Sequence, residues 1–435
     1  MSENTINKPR EFNVSSQKNL TLAIHGGIPI AHANEWKKWP LVTDRAKENL
    51  CRVLQSQNWG VGVFYPSNLT FDEIFCKEFA SFVQTKHVLT VDHGSNAILV
   101  ALQALDIGFG DEVLVPGLTW VSCATAVLRT NAVPILVDIE STTQCICPDA
   151  IEANISPRTR AIIVVHLNSC MADMDKILSI SKKYNIPIIE DCAQAHGAKW
   201  KGRPAGSFGL ISTFSTERSK LLTSGEGGII ATNDSNLYEK MYLLKNDGRK
   251  KGKFFLEEDG TITGANFSLS EFQSALLCEG LERLSHENLL REKTAQNLTD
   301  LLKTIPFILP IEPHKGNTHR AYFHYNIRFD PEGFGGISST SFATILSKEL
   351  GFWVRTTHYP LNACKLFRPL EDAKFRHLPL PDYSLVKLPV SKKQHETSLL
   401  LHHPILLSGE EGANKIYKAF LKIQSNSCYL STLNP

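Results

Sequence analysis

Five short runs of branched and aliphatic residues decide most of what this chain can become: VLTVD (88–92), EVLVP (112–116), VPILVD (133–138), AIIVVH (161–166) and IPIIED (186–191). They recur about every 24 residues with helix-length stretches between them, the rhythm of β-α units. A strand that is apolar at every position, not at every second one, is covered on both faces. The runs therefore predict an α/β fold in which helices sandwich a mostly parallel sheet. Such sheets collect ligands beyond the carboxyl ends of their strands. Most of the runs end there in small or polar residues: Asp92-His93-Gly94-Ser95, Pro116-Gly117, His166 and Asp191.

Further along, the pattern changes. SNLYEKMYLLKN (235–246) reads as a helix, and DGRKKGKFFLEEDGTITGAN (247–266), polar and punctuated by glycine, as a long loop or hairpin whose GRKKGK run is solvated. Residues 268–305 carry apolar side chains at three- and four-residue spacing, which predicts one long helix bridging two domains. Strand-like YFHYNIRF (322–329) and helix-like SFATILSKEL (341–350) then suggest a smaller α+β domain. A chain of 435 residues accords with two cores. The expected organisation is a polar, flexible segment over 1–18, a large domain with its N-terminal lead-in over 19–285, and a bridging helix with the smaller C-terminal domain over 286–435.

Lysine plus arginine (46) nearly balance aspartate plus glutamate (44), which implies neither nucleic acid nor a membrane surface as partner and leaves small molecules. The ten cysteines show no C-x-x-C pair and no Cys/His cluster at zinc spacing, and the His402-His403 pair lacks a third ligand, so no metal site is expected. Free thiols, no signal-peptide core and no apolar run of the ~18 residues a membrane span needs give the expectation of a cytoplasmic protein.

The chemistry concentrates at the strand ends. Lys220 lies in STERSKLLTSGEGG (215–228), among hydroxyls and followed by two leucines. A desolvated amine loses its charge and becomes a nucleophile. Asp191 closes an apolar strand, where a carboxylate needs a cation or good donors. His93-Gly94-Ser95 leads from a strand into a helix whose first amides, with the Ser95 hydroxyl, suit a phosphate. Trp120 offers an aromatic face. Taken singly, these are a cap, a βα turn and ordinary packing. Together, a lysine, a carboxylate, an aromatic platform and a cradle of hydroxyls and amides are the set that pyridoxal phosphate requires.

In order along the chain, LAIHGGIPI (22–30), VPGLTWVS (115–122), PRTRAIIVVH (157–166), ADMD (172–175), IEDCAQAHGA (189–198), TFSTERSKLLTSGEGG (213–228) and HYPLNACKLFRP (358–369) resemble the sugar and cyclitol aminotransferases of the DegT/DnrJ/EryC1/StrS group. The resemblance runs from about residue 20 to about residue 425. It implies a fold-type-I transferase dependent on pyridoxal 5'-phosphate, with a large α/β/α domain, a smaller α+β domain and a homodimer with shared active sites. By motif, Lys220 would be the Schiff-base lysine, Asp191 would pair with the pyridine nitrogen and Gln194 would lie beside the phenolic oxygen. Trp120 would stack on the ring, Gly94, Ser95, Asn96 and Ser215 would surround the phosphate, and Asn266 resembles an asparagine that relatives supply from the neighbouring subunit. His166, Tyr322, His324, Arg328 and His358 are candidates for substrate contacts. The chain departs from the group at Phe267 and Ser268, where an arginine often follows the asparagine, at Asn168, where an aromatic residue is common, and at His93, which replaces a small residue.

VVHLNSCMADMD (164–175), SEFQSAL (270–276), LGFWVRTTHYPLNACKLFRP (350–369) and LHHPILLSGEE (401–411) look most like the glutamine-dependent 2-deoxy-scyllo-inosose aminotransferases of aminocyclitol antibiotic biosynthesis. That implies transfer of an amino group from L-glutamine or glutamate to a cyclitol ketone such as 2-deoxy-scyllo-inosose or scyllo-inosose, ping-pong through pyridoxamine phosphate. The same motifs leave open a nucleotide-linked keto-sugar as acceptor, an activity like 3-amino-5-hydroxybenzoate synthase, and a non-catalytic cofactor-binding protein.

Overall fold

The computed structural model describes residues 21–61, 69–250 and 262–430. The polar segment 1–18, most of the expected 247–266 loop and half of the GRKKGK run lie outside the described residues. The five apolar runs form β1 (His87–Val91), β2 (Glu112–Pro116), β3 (Val133–Val137), β4 (Thr159–Val165) and β5 (Ile188–Asp191). After the short strands β6 (Lys199–Trp200) and β7 (Arg203–Pro204) come β8 (Ile211–Ser215) and β9 (Gly228–Thr232). The main sheet has the order β1-β9-β8-β5-β4-β2-β3. Strands β2, β3, β4, β5 and β8 pair in parallel, and β9 runs antiparallel to both β8 and β1. This is the mostly parallel α/β sheet that the apolar runs predict.

Helices pack on both faces because their own sequences supply the starts. Asp173 accepts the Lys176 N–H at 3.2 Å to open Met174–Tyr184, and Asp234 accepts from Leu237 at 3.0 Å to open Ser235–Lys245. The long helix Glu271–Leu302 begins with a reciprocal capping box between Ser270 and Gln273.

A second antiparallel sheet follows, made of β10 (Ile308–Pro310), β12 (His324–Phe329), β14 (Ser398–His402) and β13 (Val354–Thr356) in that order, while β11 (Asn317–His319) leaves it to pair with β6. The helices Ser339–Leu350 and Gly409–Ser425 bury Phe342 and Phe420 against this sheet. The long helix serves both cores: Leu277, Leu281 and Leu284 are in the first, Ala295, Leu298 and Leu302 in the second. Leu22, Ala31 and Trp36 of the lead-in lie in the second core, whereas Leu361, Phe367, Tyr383 and Leu388 return to the first. We propose that this helix, not a single peptide bond near 285, is the boundary between the two units.

Candidate active site

A cavity of about 680 Å³ opens at the carboxyl ends of β4, β5 and β8 and at the start of the helix Gly94–Ala104. The second sheet closes its other side with His324, Arg355 and His402. This is where an open α/β sheet gathers ligands.

The turn between β1 and the helix is held very close to its neighbours. A Cβ on Gly94 would stand 2.7 Å from the Ser215 Cβ, and one on Gly228 would stand 2.6 Å from the His93 carbonyl. Only glycine lets the three chain segments approach this far. The first amides of a helix have no partner within it, so together with the Ser95 and Ser215 hydroxyls they form an anion cradle at the cavity wall. Asn96 does not share in it. Its backbone N–H donates to the His93 carbonyl at 3.1 Å, its side chain donates to both Asp92 carboxylate oxygens at 2.9 and 3.1 Å, and its oxygen accepts from Arg129 at 2.9 Å. One helical position beyond Ser95 turns this side chain away, and it braces the turn from behind.

Asp191 is buried at the end of β5. Its Oδ1 accepts the Ala193 N–H at 3.0 Å and its Oδ2 the Cys123 thiol at 3.1 Å. Burial, with the Asp191 charge behind it, pushes the Cys123 thiol far up, so it stays a donor. Gln194 accepts the Asn168 N–H at 2.9 Å, and His324 Nδ1 donates to Asn168 Oδ1 at 2.8 Å. Trp120 stands half exposed at the mouth, its ring 6.0 Å from that of His358.

Lys220 sits in the loop from β8 to β9. Its N–H donates to the Glu217 carbonyl at 2.8 Å, and its amine lies 4.6 Å from the centre of the Phe323 ring. The preceding carbonyl, that of Ser219, accepts from Nε2 of His402 at 2.9 Å and of His403 at 3.0 Å. The end of β14 thus clamps the lysine loop. Burial lowers the Lys220 pKa below 10.5; Asp191 and Glu217 oppose this and Arg355 adds to it. Burial also takes His358 down to about 3, His402 to about 4 and His324 well below 6.5, so all three imidazoles are neutral near pH 7.

Three of the candidates for substrate contact lie elsewhere. His166 is fully buried, donating from Nε2 to Glu190 at 3.1 Å and accepting the Ala172 N–H on Nδ1 at 3.2 Å. Both of its nitrogens are used within the protein. Tyr322 takes up a left-handed backbone (φ 54°) just before β12 and packs against Tyr325 and Arg320 in the second core. Arg328 points to the Ser141 carbonyl at 3.3 Å. Asn266 is exposed, accepts the Ser268 N–H at 3.1 Å and does not line the cavity of its own chain. The cavity does take in Phe323, Arg355 and His402, none of which is among the site residues expected from the sequence. For Arg355 the signal was available: a charged residue within the otherwise apolar GFWVR run.

Among the described residues, His166, Glu190 and Cys192 bring possible metal-ligand atoms within 4.8 Å of one another. Glu190, however, already accepts from His166 and from the N–H groups of Gly206, Phe208 and Gly209. Its lone pairs are engaged by the protein itself.

The sequence profile of the DegT/DnrJ/EryC1/StrS aminotransferase family matches residues 32–411. The chain belongs to that family. Like other DegT/DnrJ/EryC1/StrS members it is an aminotransferase, and its cofactor is pyridoxal 5'-phosphate. It is 40% identical over 417 residues to an L-glutamine:scyllo-inosose aminotransferase of Streptomyces griseus, covering 93% of this chain and 98% of that one. It is 38% identical over 413 residues to an L-glutamine:2-deoxy-scyllo-inosose aminotransferase of Micromonospora echinospora, covering 93% and 98%. Among solved structures, 3-amino-5-hydroxybenzoic acid synthase superposes with a TM-score of 0.79 at 28% identity, over 89% of this chain and 99% of that one. An aminotransferase from Psychrobacter cryohalolentis superposes at 0.80 and 28%, over 90% and 100%.

Proposed function

We propose that this aminotransferase moves the amino group of L-glutamine onto a ketone of a cyclitol, scyllo-inosose or its 2-deoxy counterpart. Two relatives of that printed activity, matched over almost their whole lengths, support the substrates. The observation that carries the chemistry is Lys220, desolvated and facing the same cavity as the buried Asp191.

The residues present fit the cofactor: the missing Cβ of Gly94 lets the Ser215 segment close up to the helix start and complete the cradle, and Asp191 keeps its two oxygens oriented by Ala193 and Cys123. When bound, the cofactor supplies an electron sink and carries the amino group between the two substrates. Ser95, Ser215 and the helix start would hold its phosphate, Asp191 its pyridine nitrogen, Gln194 its phenolic oxygen and Trp120 one face, where the indole also keeps water off. Lys220, its pKa lowered by burial, would be the covalent attachment point and the base that takes the proton from the donor's α-carbon. The neutral imidazoles of His324 and His358 suit polyol hydroxyls. The His358 Nε2 is buried without a hydrogen-bond partner, which supports that role.

The enzyme works as a homodimer in the cytoplasm, with Asn266 offered to the partner's cavity; its exposure and its place outside the lining of its own cavity support this reading. No helix among the described residues is long and apolar enough to cross a membrane, and the ten cysteines are free thiols.

Glutamine added to the yellow holoenzyme without an acceptor should bleach the cofactor's visible band, and scyllo-inosose should restore it. A Lys220→Ala variant should complete neither change. A band that ignores glutamine but responds to another amino donor would sink the donor assignment. A band that a nucleotide-linked keto-sugar restores, and cyclitol ketones do not, would sink the acceptor assignment.

A further inference from the structure

We propose that Arg355 is the carboxylate subsite of this cavity, the guanidinium that takes the α-carboxylate of the amino donor and makes no pair with the polyol that follows. The proposal rests on the aminotransferase reading above and deepens it. Arg355 is the central residue of β13, opposite Leu400 of β14, and lines the cavity beside Lys220, His324, His358 and His402. Its Nε is buried without a hydrogen-bond partner, and among the described residues no carboxylate pairs with it. The centre of the Trp353 ring lies 5.8 Å from its guanidinium carbon.

None of the three carboxylates that line the cavity pairs with Arg355. Asp191 accepts from Ala193 and Cys123, Glu217 accepts the Ser219 N–H and hydroxyl, and Glu226 stands 3.6 Å from His93. A half-buried cation without a counter-charge carries a desolvation cost, and a ligand carboxylate can relieve it through two parallel N–H···O bonds. Burial lowers the Arg355 pKa, yet guanidinium keeps its charge at neutral pH. The neighbouring imidazoles are neutral and do not compete as cations. One wall of the cavity therefore offers a charge for the amino acid and uncharged hydrogen-bonding groups for the cyclitol, which lets a single site accept both in turn.

Two measurements on the holoenzyme test this, with Arg355→Met and Arg355→Lys beside the wild type. The first follows the visible band in single turnovers with three amines: glutamine, glutamine α-amide, in which a carboxamide replaces the α-carboxylate, and an amino-cyclitol, which has no carboxylate. Arg355→Met should react about 100-fold more slowly with glutamine, mainly through weaker binding, and Arg355→Lys should recover part of this. The amino-cyclitol should lose about threefold at most, and the α-amide should not distinguish the variant from the wild type. The second is calorimetric titration with glutarate, an unreactive dicarboxylate, which should bind the wild type and not Arg355→Met. If glutamine reacts equally with both proteins, or all three amines slow equally, the subsite is overturned while the aminotransferase reading stands. If the wild type ignores glutamine yet binds glutarate only when Arg355 is present, the subsite stands and the donor assignment falls. Carboxylate binding that is absent, or indifferent to Arg355, overturns the proposal.

Discussion

Lys220 stands between opposing influences: burial pulls its pKa below 10.5, Asp191 and Glu217 push it back, and Arg355 pulls with burial. The amine must be neutral to capture an aldehyde, so capture of cofactor by the apoprotein should quicken as pH rises through that lowered pKa. The two flanking charges then predict shifts of opposite sign. Glu217→Gln removes an anion that favours the ammonium, so the rising limb moves to lower pH. Arg355→Met removes a repelling cation, so it moves to higher pH. Stopped-flow capture rates between about pH 6 and about pH 10 decide this; shifts in the same direction would show that the two charges do not act on the amine. Lys220 was legible because it stands among hydroxyls with two leucines behind it, and Asp191 because a carboxylate closing an apolar strand is a contradiction visible in sequence. Arg355 carries the same signature in a shorter run. A strand–turn–helix sequence does not say which of its residues faces the cavity, so the outward turn of Asn96 was not legible, nor was the single left-handed residue that takes Tyr322 off the strand its neighbours form.

The element that makes the cradle is the turn from β1 into the helix Gly94–Ala104, passing over β9 toward β8. Gly94 and Gly228 permit this from opposite sides, but their surroundings differ. A Cβ on Gly94 meets the Ser215 side chain, whereas one on Gly228 meets the backbone of His93 and Gly94, which cannot swing aside. Gly94→Ala should therefore fold and bind cofactor about tenfold or more weakly, with stability lower by about 1–3 kcal/mol. Gly228→Ala should lose more stability than that. Cofactor titration followed by the visible band, with thermal denaturation of both variants, measures the contrast; full affinity in Gly94→Ala would refute the close approach. Strands β1 to β5 were legible because strands covered on both faces are apolar throughout. Strands β8 and β9 did not stand out, since hydroxyls interrupt ISTFS and GIIAT opens on the glycine just described. The reversed direction of β9 was not legible at all, because nothing in five residues encodes which neighbour they pair with.

At the scale of the whole molecule, the two cores meet through the long helix, the β6–β11 pairing and the histidines of the second sheet that hold the lysine loop. Several of those imidazoles are neutral by burial, and this sets how the fold responds to acid. His196, His324 and His403 are all buried, and burial lowers each pKa, to about 3 for His196. In the unfolded chain a histidine titrates near 6.5. Below that pH the unfolded state binds protons that the folded state refuses, so stability falls as pH falls. Three such groups together give a slope approaching about 4 kcal/mol per pH unit. His196 isolates one share of it: the ring packs 5.4 Å from Phe214, and its backbone carbonyl accepts from Asn288. His196→Phe keeps that carbonyl and removes the proton site. Its loss of stability between pH 7 and about pH 5.5 should be smaller than that of the wild type by about 1 kcal/mol, read from urea denaturation at the two pH values. Equal losses in the two proteins would mean that His196 is protonated in the folded state, and would return the acid sensitivity to the clamp and cavity histidines alone.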